Sequence, residues 1–122
     1  MVKMQPRYAR NNRANKYGAK KTVVGDIKFD SKKEANRWME LQLLERGGAI
    51  SDLRRQVKVE LIGQHRPLFT RTGRKMRYVA DFTYVDNKTG ILVIEDVKGF
   101  KTKEYEVKRA ILQAMGLDIR EV

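Results

Sequence analysis

Tyr78-Val79-Ala80-Asp81-Phe82-Thr83-Tyr84-Val85 and, five residues later, Ile91-Leu92-Val93-Ile94-Glu95-Asp96-Val97-Lys98 decide how this chain is read. Both runs are rich in β-branched and aromatic residues, the composition of strands. Asp86-Asn87-Lys88-Thr89-Gly90 makes a turn between them. Ile91–Ile94 is apolar at every position, which suits a central strand covered on both faces. Each run places acids where apolar residues belong: Asp81 midway along the first, Glu95 and Asp96 at the end of the second. With a side-chain period of two, Asp96 and Lys98 share a face and Glu95 takes the other. In a hairpin closed by the 86–90 turn, Asp81 lies near Asp96 across the ladder. Paired carboxylates are costly unless a cation neutralises them, and a divalent ion beside a lysine does so.

The neighbouring elements follow. Ser31 caps a helix running to about Arg46, and Gly47-Gly48 stop it. Gln56–Ile62 alternates, with Val57, Val59 and Leu61 on one face. Gly99-Phe100-Lys101 breaks the central strand, and Thr102 caps a second helix to about Met115, with Glu104 and Glu106 in its first turn. Gly116 ends that helix, and Asp118–Val122 is a short strand. The order is helix, three strands, helix, strand: an α/β fold in which the first three strands form a meander. The last, reached through a helix, returns parallel to a neighbour.

The chain has 122 residues, room for one domain and an arm, and can bury roughly two-thirds of its unfolded surface without a metal or disulfide. It has no cysteine, which excludes a disulfide framework, a thiolate zinc site and a thiol nucleophile. One histidine, His65, excludes a multi-histidine metal site within the chain and reads as an exposed loop residue. A metal here must be hard and oxygen-ligated. No stretch approaches the roughly 20 apolar residues of a membrane span, and the basic N-terminus lacks the apolar core of a secretory signal. The expected compartment is the cytoplasm, with no membrane partner.

Lys and Arg number 27 against 15 Asp and Glu, a net charge of +12 that points to a polyanion, most simply nucleic acid. The cations are clustered. Residues 1–25 hold Lys3, Arg7, Arg10, Arg13, Lys16, Lys20 and Lys21 and no acid, and read as a flexible arm that settles on phosphates, ahead of a domain at 26–122. Residues 63–77 hold Arg66, Arg71, Arg74, Lys75 and Arg77, again without an acid, and their Pro and Gly make them a basic loop or hairpin tip.

Each functional reading has a plain counterpart. Lys98 pairing with Asp96 or Asp81 is a strand-end salt bridge, common and weak, and leads on spacing alone. The charge, the arm and the order of elements tip the balance to a metal site. Ala35, Trp38, Met39, Leu41 and Leu43 form an apolar arc on the first helix, with Glu34 at its edge. Glu34 either faces the site or serves Ser31-Lys32-Lys33-Glu34 as a capping box. Trp38 reads as core. The rival functions are a non-catalytic nucleic-acid-binding module, in which the acids form only an ion-pair cluster, and an RNA-binding protein.

Asp81 followed by Glu95-Asp96-Val97-Lys98 resembles the PD-(D/E)XK nuclease signature, with Ala80 standing where that signature has proline. The helix bearing Glu34 and the order of elements resemble the restriction-endonuclease-like core (αβββαβ, a mixed central sheet flanked by helices). More narrowly, Phe29-Asp30-Ser31-Lys32-Lys33-Glu34-Ala35, Gln56, Tyr78-Val79-Ala80-Asp81-Phe82, Glu95-Asp96-Val97-Lys98-Gly99 and the Thr102, Tyr105, Lys108 spacing are similar to a family of small phage- and prophage-encoded endonuclease-like proteins. The resemblance covers about residues 26–122.

It implies a Mg²⁺- or Mn²⁺-dependent DNA endonuclease of a phage, acting in the bacterial host cytoplasm. Asp81 and Asp96 would bind the metal with the Val97 carbonyl, and Glu34 would complete the site directly or through water. Lys98 would orient or deprotonate the attacking water and stabilise developing charge. Gln56 would support the site, unless it is a surface residue on an edge. Glu95 is the rival to Asp96, second because of its facing. Tyr105 and Lys108, one turn apart, would touch the phosphate beside the cut, unless they are a surface pair. The basic arm and loop suit backbone-dominated recognition of branched or duplex DNA, as in Holliday-junction resolvases, with a homodimer matching the junction's two-fold symmetry. A sequence-specific or nicking nuclease of the same fold is the alternative within enzymes.

Overall fold

The computed structural model describes residues 21–97 and 101–122. Of the expected site residues, Lys98 and the arm cations Arg7, Arg10, Arg13, Lys16 and Lys20 lie outside the described residues, whereas Lys21 is described and exposed. The chain divides into two units between Arg37 and Trp38.

In the first unit, β1 (Thr22–Val24) pairs antiparallel with β2 (Ile27–Phe29) across Gly25-Asp26. Residues 22–25, assigned to the arm from charge composition, thus belong to a hairpin. Thr-Val-Val is β-branched, and that local preference outweighs the polar character of what precedes it. Helix α1 (Lys32–Arg46) follows and continues into the second unit. Its start is the expected one: the Ser31 Oγ accepts the Glu34 N–H at 3.1 Å. Its end is a Schellman motif, with the Ala49 N–H on the Leu44 carbonyl and the Gly48 N–H on that of Glu45, Gly48 standing at φ 86°. The covered stripe on α1 runs through residues 34, 35, 37, 38, 41 and 42. Met39 and Leu43, expected on the apolar arc, fall off that stripe and are exposed.

The second unit holds a four-stranded sheet in the order β3 (Ile50–Glu60), β4 (Arg77–Asp86), β5 (Ile91–Asp96), β6 (Ile119–Glu121). The first two pairings are antiparallel. The last is parallel, reached through helix α2 (Lys103–Ala114), so the sheet is mixed as the connection lengths require. Strand β3 starts six residues before Gln56. Its early part carries no legible alternation, because Asp52 and Gln56 sit at φ 55° and 53° and a register shift falls between Ser51 and Arg54. On one face, Trp38 of α1 stacks on Phe82 at 5.8 Å, the core role expected of it. Phe82 opposes Glu95, so Ile94, the next residue on β5, points to the other face. There Ile94 joins Leu61, Tyr78, Ala80 and Ile119 and the α2 residues Tyr105 and Leu112 in one buried cluster. Within the second unit, Trp38 and α2 thus cover opposite faces of the sheet.

The basic stretch between β3 and β4 is an ordered excursion. Bridges Ile62↔Pro67 and Phe69↔Lys75 fold it back twice. Leu68 lies between Leu61 and Met76, bonded to both main chains at 2.9 and 2.8 Å. Arg66, Arg71, Arg74 and Lys75 are exposed on it, as is His65 at φ 67°. Among the described residues, no helix is long and apolar enough to cross a membrane.

Candidate functional site

Side chains along a strand should alternate, yet Arg54, Val57, Val59, Thr83 and Ile94 all line one depression. Residues 54 and 57 can share a face only if the alternation slips between them. The slip falls at Gln56 on β3 and, by the register Arg55↔Phe82 and Val57↔Ala80, at Asp81 on β4. Gln56 carries it with a left-handed backbone at φ 53°, a costly conformation for a side chain of this type. The residue expected to support the site therefore stands opposite Asp81.

The β4–β5 ladder runs as far as Phe82↔Glu95. Beyond it the Asp81 Oδ2 accepts the Val97 N–H at 2.8 Å, so a carboxylate takes the place of the next main-chain partner. Asp96 points to the α2 side, where the Tyr78 hydroxyl donates to its Oδ2. Glu95 points to the opposite side and accepts from the Tyr84 hydroxyl, which itself accepts from Arg120 Nη1 at 3.2 Å. The expected opposite facing of Glu95 and Asp96 is thus observed. Both are buried, and each is held by a tyrosine.

The electrostatics follow from this packing. Burial, then the hydrogen bond to Asp96 and the charges of Asp96 and Asp81, push the Tyr78 phenol far above its ordinary range. It stays a neutral donor at any physiological pH. Tyr105 on α2 is likewise pushed up, by burial first and then by its bond to Glu121. Glu121 stands opposite Asp96 in the parallel register and binds Tyr105 Oη at 2.5 Å and Lys101 Nζ at 2.9 Å. These donors, Lys101 foremost, hold its carboxyl below the usual range.

The structure therefore brings together Asp81, Asp96, Val97 and, across the ladder, Gln56. Glu34 is buried in the first unit, where its N–H completes the Ser31 cap. The plain reading of Tyr105 as a surface residue is corrected: its position on α2 faces the sheet, so its ring is buried in the core cluster and only its hydroxyl reaches the rim, on Glu121. Lys108 pairs instead with Glu104 at 3.0 Å and lines a groove with Arg74, Lys75 and Arg77. Sequence reasoning missed Tyr78, Lys101, Arg109 and Glu121. Tyr78 lies three residues before Asp81, a spacing that normally separates faces. Glu121 is placed only by the register of β6. Among the described residues, no three His, Cys, Asp or Glu are grouped to hold a metal ion. Mg²⁺ asks for less, one or two carboxylates with water and phosphate completing its shell.

Fold and site define a small mixed α/β protein with two aspartates, Asp81 and Asp96, where two antiparallel strands part. The chain belongs to the family described as "protein of unknown function (DUF1064)", whose model matches residues 14–122. No curated protein and no solved structure matches it.

Proposed function

We propose that this chain is a metal-dependent DNA endonuclease with a restriction-endonuclease-like core. One observation carries the reading: Asp81 and Asp96 lie at the place where β4 and β5 separate, one carboxylate fixed by the Val97 N–H and the other by the Tyr78 hydroxyl. The donor set fits a hard divalent ion. It is all oxygen, and one bound donor does not exhaust the lone pairs of a carboxylate. Asp81 and Asp96, with the Val97 carbonyl that the resemblance assigns, would hold Mg²⁺ or Mn²⁺. Such an ion, when bound, polarises a phosphate and lowers the pKa of water.

The chain's own residues supply the rest. Tyr78 and the Val97 N–H set the orientation of the two carboxylates before substrate arrives. Lys98, in the role the resemblance gives it, orients the attacking water and stabilises charge as it develops. Arg66, Arg71, Arg74, Lys75 and Lys108 neutralise phosphates and read charge and shape rather than bases, which suits branched DNA. Two copies would serve the two-fold symmetry of a four-way junction.

One observation favours a second reading, a nucleic-acid-binding module without catalysis. Glu95 and Asp96 are both buried and both tyrosine-bonded, a pattern that purely structural networks share. Incubating the protein with labelled four-way junction, linear duplex and single strand, in Mg²⁺, Mn²⁺ or EDTA, separates the two. The expected result is metal-dependent cutting near the branch, lost in Asp96→Asn while binding is kept, since Asn still accepts from Tyr78. Tight binding with no cutting in any metal would establish the binding module.

A further inference from the structure

Two hydrogen-bond donors and an ion-paired guanidinium converge on the Glu121 carboxylate, which stands in register with Asp96. Lys101 Nζ lies 2.9 Å from Glu121 Oε1, Tyr105 Oη 2.5 Å from Oε2, and Arg109 Nε 3.7 Å from Oε2. The two cations are half open to solvent, with side chains 49% and 41% exposed against 28% for Glu121. An ammonium, a guanidinium and a phenol around one anion are the groups that bind phosphate oxygens. Glu121 opposes Asp96 in the β5–β6 register, one strand spacing of about 4.8 Å along the sheet. On α2 the stripe continues to Lys108 and the groove it shares with Arg74, Lys75 and Arg77.

We infer that Lys101, Tyr105 and Arg109 form a phosphate-binding subsite that Glu121 fills in the free protein, and that a phosphate of a nucleic-acid backbone displaces the Glu121 carboxylate. A surface ion pair of this kind contributes little to stability, so a competing anion meets a small cost. The displaced Glu121 leaves two cations and a phenol for a phosphate next to the one at Asp81 and Asp96. The inference rests on the nucleic-acid reading above but not on cleavage.

The test is binding of a labelled DNA duplex by the full chain in EDTA across a salt series. Glu121→Gln, which keeps an acceptor for Tyr105 and removes the charge, should bind several-fold tighter. Its salt dependence should steepen by a slope of about 0.9 for each additional phosphate neutralised. Adding Lys101→Ala should cancel the gain. Unchanged or weaker binding by folded Glu121→Gln, at an unchanged slope, overturns the subsite. Should that variant fail to fold, the wild-type chain carrying ¹³C-glutamate decides. The Glu121 carboxyl resonance must move when duplex is added, and a resonance that stays put overturns the inference. Tighter binding by Glu121→Gln without cutting in any metal keeps the subsite and discards the nuclease. Cutting without any response to Glu121→Gln does the reverse.

Discussion

Tyr78 and Tyr84 make the same bond on opposite faces of one sheet, the first to Asp96 and the second to Glu95. Their comparison isolates what a carboxylate does from what it costs to bury. A hydrogen bond to a charged group contributes about 1.5–3 kcal/mol, so Tyr78→Phe and Tyr84→Phe should each lower stability by about that amount in urea unfolding. Under the proposed function, only Tyr78→Phe should also raise the Mg²⁺ concentration needed for half-maximal cutting, because only Tyr78 holds a carboxylate of the proposed metal site. Equal shifts in Mg²⁺ dependence for both variants would remove Asp96 from its preferred place. That Tyr78 reaches Asp96 was not legible in the sequence. The acids announced themselves by standing in apolar runs. The tyrosine looked like any strand aromatic, and its direction depends on a slip at Gln56 and Asp81 that no local pattern encodes.

At the level of elements, what carries a local chemical signature was legible and what depends on pairing was not. Ser31 and Thr102 cap their helices as read, the latter by accepting the Tyr105 N–H at 3.0 Å, and Gly48 and Gly116 close them. The turn at 86–90 and the parallel return of β6 also followed from composition and connection length. The first half of β3 was hidden by two left-handed residues, and β1 by the basic residues before it. The 63–77 stretch was legible as a basic tip but not as an ordered one. Its backbone bridges sharpen a prediction, because under the proposed function they hold these cations on one tip toward a nucleic-acid backbone. Replacing Arg71, Arg74 and Lys75 together by alanine should leave melting nearly unchanged, since all three are exposed and surface substitutions shift stability little. Duplex affinity should fall, and its salt dependence should flatten by about 0.9 for each phosphate no longer neutralised. A salt slope equal to wild type would take the hairpin off the DNA.

For the whole molecule, charge and burial set the pH range over which the fold holds. The net charge of +12 already works against compactness, and acid removes the 15 carboxylate charges that offset the cations. Glu121, whose carboxyl is held below its ordinary value, adds a small, solvent-screened contribution that is present above the usual glutamate range and lost as pH falls through the depressed value. The two phenols act at the other end. Tyr78 and Tyr105 keep their protons when folded, whereas tyrosines of the unfolded chain ionise near pH ~10. Their contribution is complete below that point and is lost as pH rises beyond it. Stability should therefore be broad from about pH 5 to about 9 and fall on both sides. Urea midpoints measured across pH check this by difference. Tyr78→Phe should flatten the alkaline fall and leave the acid side as it was, whereas Tyr105→Phe and Glu121→Gln, which share one hydrogen bond, should each flatten both sides. If the alkaline slope of Tyr78→Phe matches wild type, the Tyr78 hydroxyl is not the buried neutral donor that holds Asp96, and the orientation of the carboxylate pair needs another source.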